Sequence, residues 1–189
     1  MAISPAHYRY AARREPSRSM VIGSATHCAI LEPDRFKTDY VIVAGVDDRR
    51  AAAWKQAVAA RGTDEFVLTG PEGDRIVAMA ESVRGNSDAA ELLYRDGIAE
   101  ASFFATDPVT GVRVKCRPDW MTGMRVVDLK TTADISDDGI GKSVVNYGYF
   151  MQEAFYRDVI KWATTDTVES FDFLFVESDA PHCSTLVAL

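Results

Sequence analysis

The chain has 189 residues, 47% of them hydrophobic and 26% charged, with a formal net charge of −7. That is the size and balance of a single soluble globular domain with its own buried core. The acidic balance argues against a protein that coats nucleic acid nonspecifically, yet it leaves a nuclease open, because acidity can be concentrated at a metal site. No apolar run approaches the ~20 residues of a membrane span, and the opening Met1 to Tyr8 lacks the basic-then-apolar order of a signal peptide. Three scattered cysteines, Cys28, Cys116 and Cys183, read as reduced core residues of a cytoplasmic protein and are too few for a four-cysteine cluster.

In chain order, Ser4-Pro5 opens a short helix over 6–14 that Pro16 ends. Arg13, Arg14 and Arg18 make this region basic: a solvated helix end, or, as the sharper alternative, a phosphate contact. The next helix, 19–31, is mostly apolar and is stopped by Pro33. On it Gly23 and His27 lie four residues apart on one face, so a ligand or a backbone can come close to the imidazole. A buried helical histidine is more often a core residue than a ligand, so a metal role requires carboxylates from elsewhere. A strand at 40–44, a helix at 47–61 with Trp54 and Val58 inward, an extended piece at 66–69, a helix at 71–84 and a short helix at 87–94 follow. Ile76, Val77, Met79, Ala80 and Val83 form the buried stripe of the 71–84 helix. Residues 47–95 read as a helical insert over one side of a sheet, without chemistry of their own.

From Ile98 the period changes to two, and strands over 98–106, 113–120 and 125–130 form an antiparallel meander. Apolar residues at 112, 114, 116, 118 and 120 alternate with Arg113, Lys115, Arg117 and Asp119. The polar face of this strand ends in a carboxylate. A turn at 122–124 sets Asp119 nearly opposite Asp128, where cross-strand side chains are only ~4.5–5.5 Å apart. Two carboxylates so close repel one another unless positive charge lies between them, and a divalent cation is the simplest candidate; a solvated strand face is the plainer reading. Asp128 and Lys130 share a face, and Glu100 lies near the acidic end of the meander. A loosely helical region follows, then a helix over 146–163 with Phe150, Ala154, Phe155, Val159 and Trp162 buried. On it Gln152 and Tyr156, one turn apart, form a polar strip or hold a phosphate or a water. Strands at 169–176 and 183–189 close a chain without repeats or linkers.

Asp119, Asp128 and Lys130 spell Pro-Asp, eight intervening residues, then Asp-x-Lys. With Gly23-x-x-x-His27 before it, Glu100 between and Gln152-x-x-x-Tyr156 after it, this order resembles the PD-(D/E)xK nuclease superfamily in its RecB-like branch, and most closely the RecE-type exonucleases. Flanking stretches such as Ser4-Pro5-Ala6-His7-Tyr8, Leu31-Glu32-Pro33, Asp128-Leu129-Lys130-Thr131-Thr132 and Gln152-Glu153-Ala154-Phe155-Tyr156 are similar too, so the resemblance spans essentially the whole chain.

The resemblance implies an α/β (α+β), restriction-endonuclease-like fold: one domain over 1–189, a mixed sheet with a central antiparallel meander, flanked by helices. It implies a 5′–3′ exodeoxyribonuclease acting on the ends of linear double-stranded DNA, for recombination or for phage or prophage DNA processing in a bacterial cytoplasm. The partners implied are a homo-oligomeric ring, trimer or tetramer, and a single-strand annealing protein. His27, Asp119, Asp128 and the Leu129 carbonyl would ligate metal, Glu100 would serve a second ion or its water, and Lys130 would orient the attacking water or counter developing charge. Gln152 and Tyr156 would position Lys130 and the scissile phosphate. Arg113, Lys115 and Arg117 would guide the DNA backbone. Two Mg2+ ions suit such oxygen ligands, and the histidine leans toward Mn2+ tolerance. The family usually continues with a further helical segment where this chain stops at Leu189. Two alternatives stand beside this reading: an endonuclease of the same superfamily, and a noncatalytic DNA-end-binding module. A small-molecule phosphatase lacks its expected phosphate-cradling glycine loop.

Overall fold

The computed structural model describes residues 4–11 and 15–188. Its elements run α1 (Pro5–Tyr10), α2 (Arg18–Leu31), α3 (Pro33–Asp39), β1 (Val41–Val43), α4 (Ala52–Arg61), β2 (Val67–Thr69), α5 (Gly70–Gly85), α6 (Ser87–Leu93), β3 (Ile98–Ala99), β4 (Phe103–Thr106), β5 (Arg113–Cys116), β6 (Trp120–Thr122), β7 (Arg125–Thr132), α7 (Asp137–Tyr147), α8 (Tyr149–Thr164), β8 (Ser170–Glu177) and β9 (Ser184–Ala188). The main sheet has the order β3-β6-β7-β8-β9. β7 and β8 pair in parallel from Arg125↔Ser170 to Thr132↔Glu177, and the other pairs are antiparallel. A parallel pair needs a crossover, and α7 with α8 supply it.

Strict alternation along β7 and β8 divides the core. Val127, Leu129, Leu174 and Val176 pack with Ala25 of α2 and with Ile76 and Met79 of α5. Val126, Phe171, Phe173 and Phe175 face the other way, onto Ile140 of α7 and Val159 and Ile160 of α8. Both sheet faces are covered by helices, which is why these two strands are apolar on both sides. The mixed α/β architecture is the one the motif order implies. Because Val126 faces α8, Asp128 and Lys130, two and four residues on, project to the same side, beneath α8.

The meander departs from expectation. The strands expected over 98–106 and 113–120 are each broken in two, at Glu100–Ser102 and at Arg117–Asp119. β3 and β6 stay in the main sheet, whereas β4 and β5 form a separate two-stranded sheet against α8. Pro118 has no N–H to give a ladder, and Glu100, across from the neighbouring Asp119, takes a left-handed backbone, φ 55°. The register nevertheless runs through: Ala99↔Trp120 before the break and Phe103↔Cys116 after it.

Other differences have local causes. Pro33 starts α3 as well as ending α2, since proline fits a first helical turn. α4 begins at Ala52 because the Asp48 carboxylate captures the Arg50 N–H at 2.8 Å and holds a turn. Gly148, at φ 68°, separates α7 from α8 within the stretch expected to form one helix from 146. The inward stripe of α8 is Tyr149, Gln152, Tyr156, Val159 and Ile160, so Phe150, Ala154 and Phe155, expected inside, face solvent. Val77 and Cys183, also expected to be buried, are exposed as well. α1 ends at Tyr10, and Arg13 and Arg14 lie outside the described residues.

Arg18 is neither a solvated helix end nor free for phosphate. Its guanidinium donates to Glu72 (Nε to Oε1, 2.7 Å) and to the carbonyls of Val67 (2.8 Å) and Asp64 (3.2 Å). Glu72 in turn accepts the Thr69 N–H at 2.9 Å in a capping box at the start of α5. One arginine thus ties α2 to the β1–β2 pair and to α5. Arg18→Ala leaves Glu72 half-buried without its partner, and the expected loss is about 2–3 kcal/mol in urea unfolding. An unchanged midpoint would remove this staple from the account of the fold.

Candidate active site

The break in the meander exposes an edge of β7. β6 pairs with β7 from Thr122↔Arg125 to Trp120↔Val127 and then leaves the ladder. Carried one step further, that register sets Asp119 opposite Asp128, as the spacing predicts. Asp119 meets β7 through its side chain: Oδ2 accepts the Leu129 N–H at 2.8 Å, in place of a backbone acceptor. On its other side the Asp119 carbonyl accepts the Glu100 N–H at 2.9 Å. His27 of α2 reaches the same carboxylate, Nδ1 to Oδ2, at 3.4 Å. One ligand atom from each of His27, Glu100 and Asp119 lies within 4.8 Å of the other two. The N–H and C=O of a strand residue point to the same edge, so the Leu129 carbonyl also faces this opening.

Asp128 belongs to a second group beneath α8. It is 2% exposed. Its Oδ1 accepts from Gln152 Nε2 at 2.6 Å, and its Oδ2 is ion-paired with the Lys130 ammonium. Lys130 is the only partner of this buried oxygen among the described residues. The Lys130 ammonium donates to Gln152 Oε1 at 3.0 Å and lies 4.7 Å from the centre of the Tyr149 ring. One amide therefore holds both acid and base: its oxygen takes the lysine, its nitrogen the aspartate. Tyr156, one turn further along α8, is half-buried with its ring edge-on to Phe171. Tyr149 is the site residue that sequence reasoning missed. Its signal was its place three residues before Gln152 on the same stripe.

Of the three basic residues expected to guide DNA, only Arg117 enters the cluster, pairing with Glu100 at 2.7 Å. Arg113 and Lys115 are exposed on β5, in the sheet that turns away. A solvent-open cavity of about 420 Å3 borders His27, Glu100, Arg117 and Asp119. A Cβ at Gly23 would meet only Thr131 Oγ1, at 3.8 Å. Packing does not demand glycine there, and its absent side chain leaves space beside Thr131.

The electrostatics of the cluster lean one way. Burial, with the charge of Asp119 added, pushes Asp128 up to about 6 despite the pull of Lys130. Burial also raises Glu100, against the opposing charge of Arg117. Burial alone would lower His27, but the hydrogen bond and charge of Asp119, with the charge of Asp128, raise it overall. Each group thus holds a proton more tightly than in the open chain, so the site gains by taking up positive charge. The converging carboxylates of Glu100 and Asp119 with the His27 imidazole make a donor set that fits a hard divalent cation, with Asp128 buried beside it and the imidazole favouring Mn2+ tolerance.

Comparison with known proteins bears on the family and the fold. Residues 3–189 match the family model described as a PDDEXK-like domain of unknown function, DUF3799. A crystal structure from Eubacterium rectale, of a protein provisionally named an exonuclease, superposes with a TM-score of 0.66 at 14% identity, covering 94% of this chain. The chain spans 61% of the length of that protein. A second structure, named SSO0001, covers 97% of this chain and 72% of its own at 13% identity, but its TM-score of 0.34 is too low to bear on the fold. No curated protein matches the sequence.

The proton affinities set a sign for stability. A carboxyl whose folded pKa lies above its unfolded value stabilises the fold least when ionised. For Asp128 the window runs from 3.8 to about 6, and unfolding becomes easier as pH rises through it. In EDTA, Asp128→Asn is expected to gain melting temperature relative to the parent across that window and to keep the gain at neutral pH. Parallel pH profiles for the two proteins would contradict the burial cost assigned to the Asp128 charge.

Proposed function

The chain belongs to this family of PDDEXK-like domains, and on that premise we propose that it hydrolyses DNA phosphodiester bonds with the help of a divalent cation. The observation that carries the reading is the convergence of His27, Glu100 and Asp119 around one point, beside an ammonium held in place by Gln152. His27, Glu100, Asp119 and Asp128, with the Leu129 carbonyl, would hold Mg2+ or Mn2+, one or two ions. Such an ion supplies counter-charge for the crowded phosphate and acidifies a water.

The protein's own groups do the rest. Lys130 places a compact positive charge at the edge of the acidic cluster, where it orients the attacking water and stabilises charge that develops on the phosphate. Gln152 is a positioning residue: it keeps Lys130 and Asp128 in one fixed arrangement, so neither must reorganise during the reaction. The Tyr149 ring holds the ammonium on its other side. Tyr156, half-buried one turn beyond Gln152, is assigned to the scissile phosphate. Arg117 is the exposed member of its pair with Glu100 and is free to exchange the carboxylate for a phosphate oxygen.

The finer reading is a RecE-type 5′–3′ exonuclease that degrades linear double-stranded DNA from its ends, in recombination or phage and prophage DNA processing in the bacterial cytoplasm. It rests on the order of motifs from Gly23-x-x-x-His27 to Gln152-x-x-x-Tyr156. A ring-shaped homo-oligomer and a single-strand annealing partner belong to the same reading. No helix among the described residues is long and apolar enough to cross a membrane.

Linear duplex labelled at its 5′ or 3′ ends, incubated beside a covalently closed circle, tests this directly. With Mg2+ the 5′ label is expected to be released first and the circle to survive; without a metal neither changes. Lys130→Ala should lower the rate about 10²–10³-fold, and Asp119→Ala with Lys130→Ala should abolish it. Digestion of the circle would turn the assignment to an endonuclease, and full activity of the double variant would end the nuclease reading.

A further inference from the structure

Helix α2 borders two cavities. His27 borders the first cavity; Gly23, one turn earlier, borders a second of about 600 Å3, which Tyr149 joins to the Lys130 group. The two cavities differ in charge. Around the first, Glu32, Asp39, Glu65, Glu100 and Asp119 outnumber Arg35 and Arg117. Both arginines are engaged, Arg35 with Glu32 and Asp39, Arg117 with Glu100. A polyanionic strand is repelled from that side except where a cation intervenes.

Around the second cavity Lys142 and Arg75 balance Asp134 and Asp179. Of the acids, Asp179 is ion-paired, and Asp134 lies within the field of Lys142. Asp134 accepts the Ser136 N–H at 2.8 Å, and Asp179 pairs with Arg75 at 3.2 Å on the exposed rim. Lys142 is exposed and makes no ion pair among the described residues. The hydroxyls of Thr131 and Ser143 also line the wall. Tyr147 stacks on Tyr149 with ring centroids 5.7 Å apart and planes at 22°, yet it is 74% exposed, so most of its ring meets solvent.

An exposed lysine without an ion pair, hydroxyl-bearing residues and an exposed aromatic stack are the parts that grip a single nucleotide: charge for the phosphate and a flat apolar surface for the base. The volume lies within the ~300–1,000 Å3 usual for small-ligand sites. We propose that the second cavity is a nucleotide subsite, in which Lys142 and Ser143 hold a phosphate of the DNA strand next to the scissile one and Tyr147, backed by Tyr149, stacks its base. The proposal rests on the nuclease reading for its ligand. A base inside a duplex has both faces covered, so the nucleotide bound here is at a strand end or already unpaired. The strand therefore runs from the metal cluster past Gly23 toward α7, and away from Glu32 and Asp39.

Fluorescence anisotropy of a labelled oligothymidylate of about 12 nucleotides, titrated with the full chain in EDTA, reads this subsite without turnover. Lys142→Ala and Tyr147→Ala change exposed side chains, and melting curves check that each variant folds. Each is expected to raise Kd about tenfold. Lys142→Ala also lowers the slope of log Kd against log salt by about one. In Mg2+ digestion both raise KM while kcat stays within about threefold of the parent. Lys37→Ala, an exposed lysine on α3, changes none of these. Unchanged Kd and salt slope in both variants, with DNA cutting intact in the parent, would overturn the subsite and leave the nuclease standing. Binding that depends on Lys142 and Tyr147 in a parent that does not cut would keep the subsite and remove the nuclease reading. A parent that neither binds nor cuts would overturn both.

Discussion

A β-ladder needs a donor at alternate residues on each strand, and Pro118 has none to give. Around that gap the paired strands of the meander split, one half continuing into the main sheet and the other folding onto α8. Glu100, across the gap, adopts a left-handed backbone that costs a non-glycine residue about 1 kcal/mol or more. The Glu100 N–H bond to the Asp119 carbonyl and the Arg117 ion pair hold it there. The break removes the backbone acceptor from one edge of β7, and the Asp119 side chain takes its place at Leu129. A carboxylate is thereby fixed at a sheet edge by the strand it borders.

What gathers there is more negative charge than its surroundings can neutralise. Helices on opposite faces of the sheet bring His27 from one side and Gln152 from the other, so the cluster is assembled only when both cores have formed. Asp128 is the extreme case, buried and held by Gln152 and Lys130. Burying three carboxylates near one another is unfavourable in isolation, and the fold offsets it only in part with Lys130 and Arg117. The remaining demand for positive charge is what the proposed cation would meet.

Much of this was legible in the sequence because it is local. Period-two alternation placed β7 and its acidic face, and the spacing from Asp119 to Asp128 gave their near-opposition. The break itself carried a signal, a proline within a strand pattern, but alternation on both sides of Pro118 favoured one continuous strand. α8 misled for a different reason. Phe150 and Phe155 suggested an apolar inward stripe, while the stripe that docks contains Gln152 and Tyr156, whose polar atoms serve the β7 carboxylate and lysine. Arg18 looked like part of a solvated basic run because its partner, Glu72, is 54 residues away. The Lys130–Gln152–Asp128 bridge depends on where α8 crosses β7, which no local pattern encodes.

The direct test is where a cation binds. Crystals grown or soaked with Mn2+, with anomalous scattering recorded at the manganese edge, locate the ion without reference to activity. If the broken meander forms a cation site, the peak lies among the side chains of His27, Glu100 and Asp119, within reach of Asp128 and the Leu129 carbonyl. A peak elsewhere, or none at millimolar Mn2+, would contradict it.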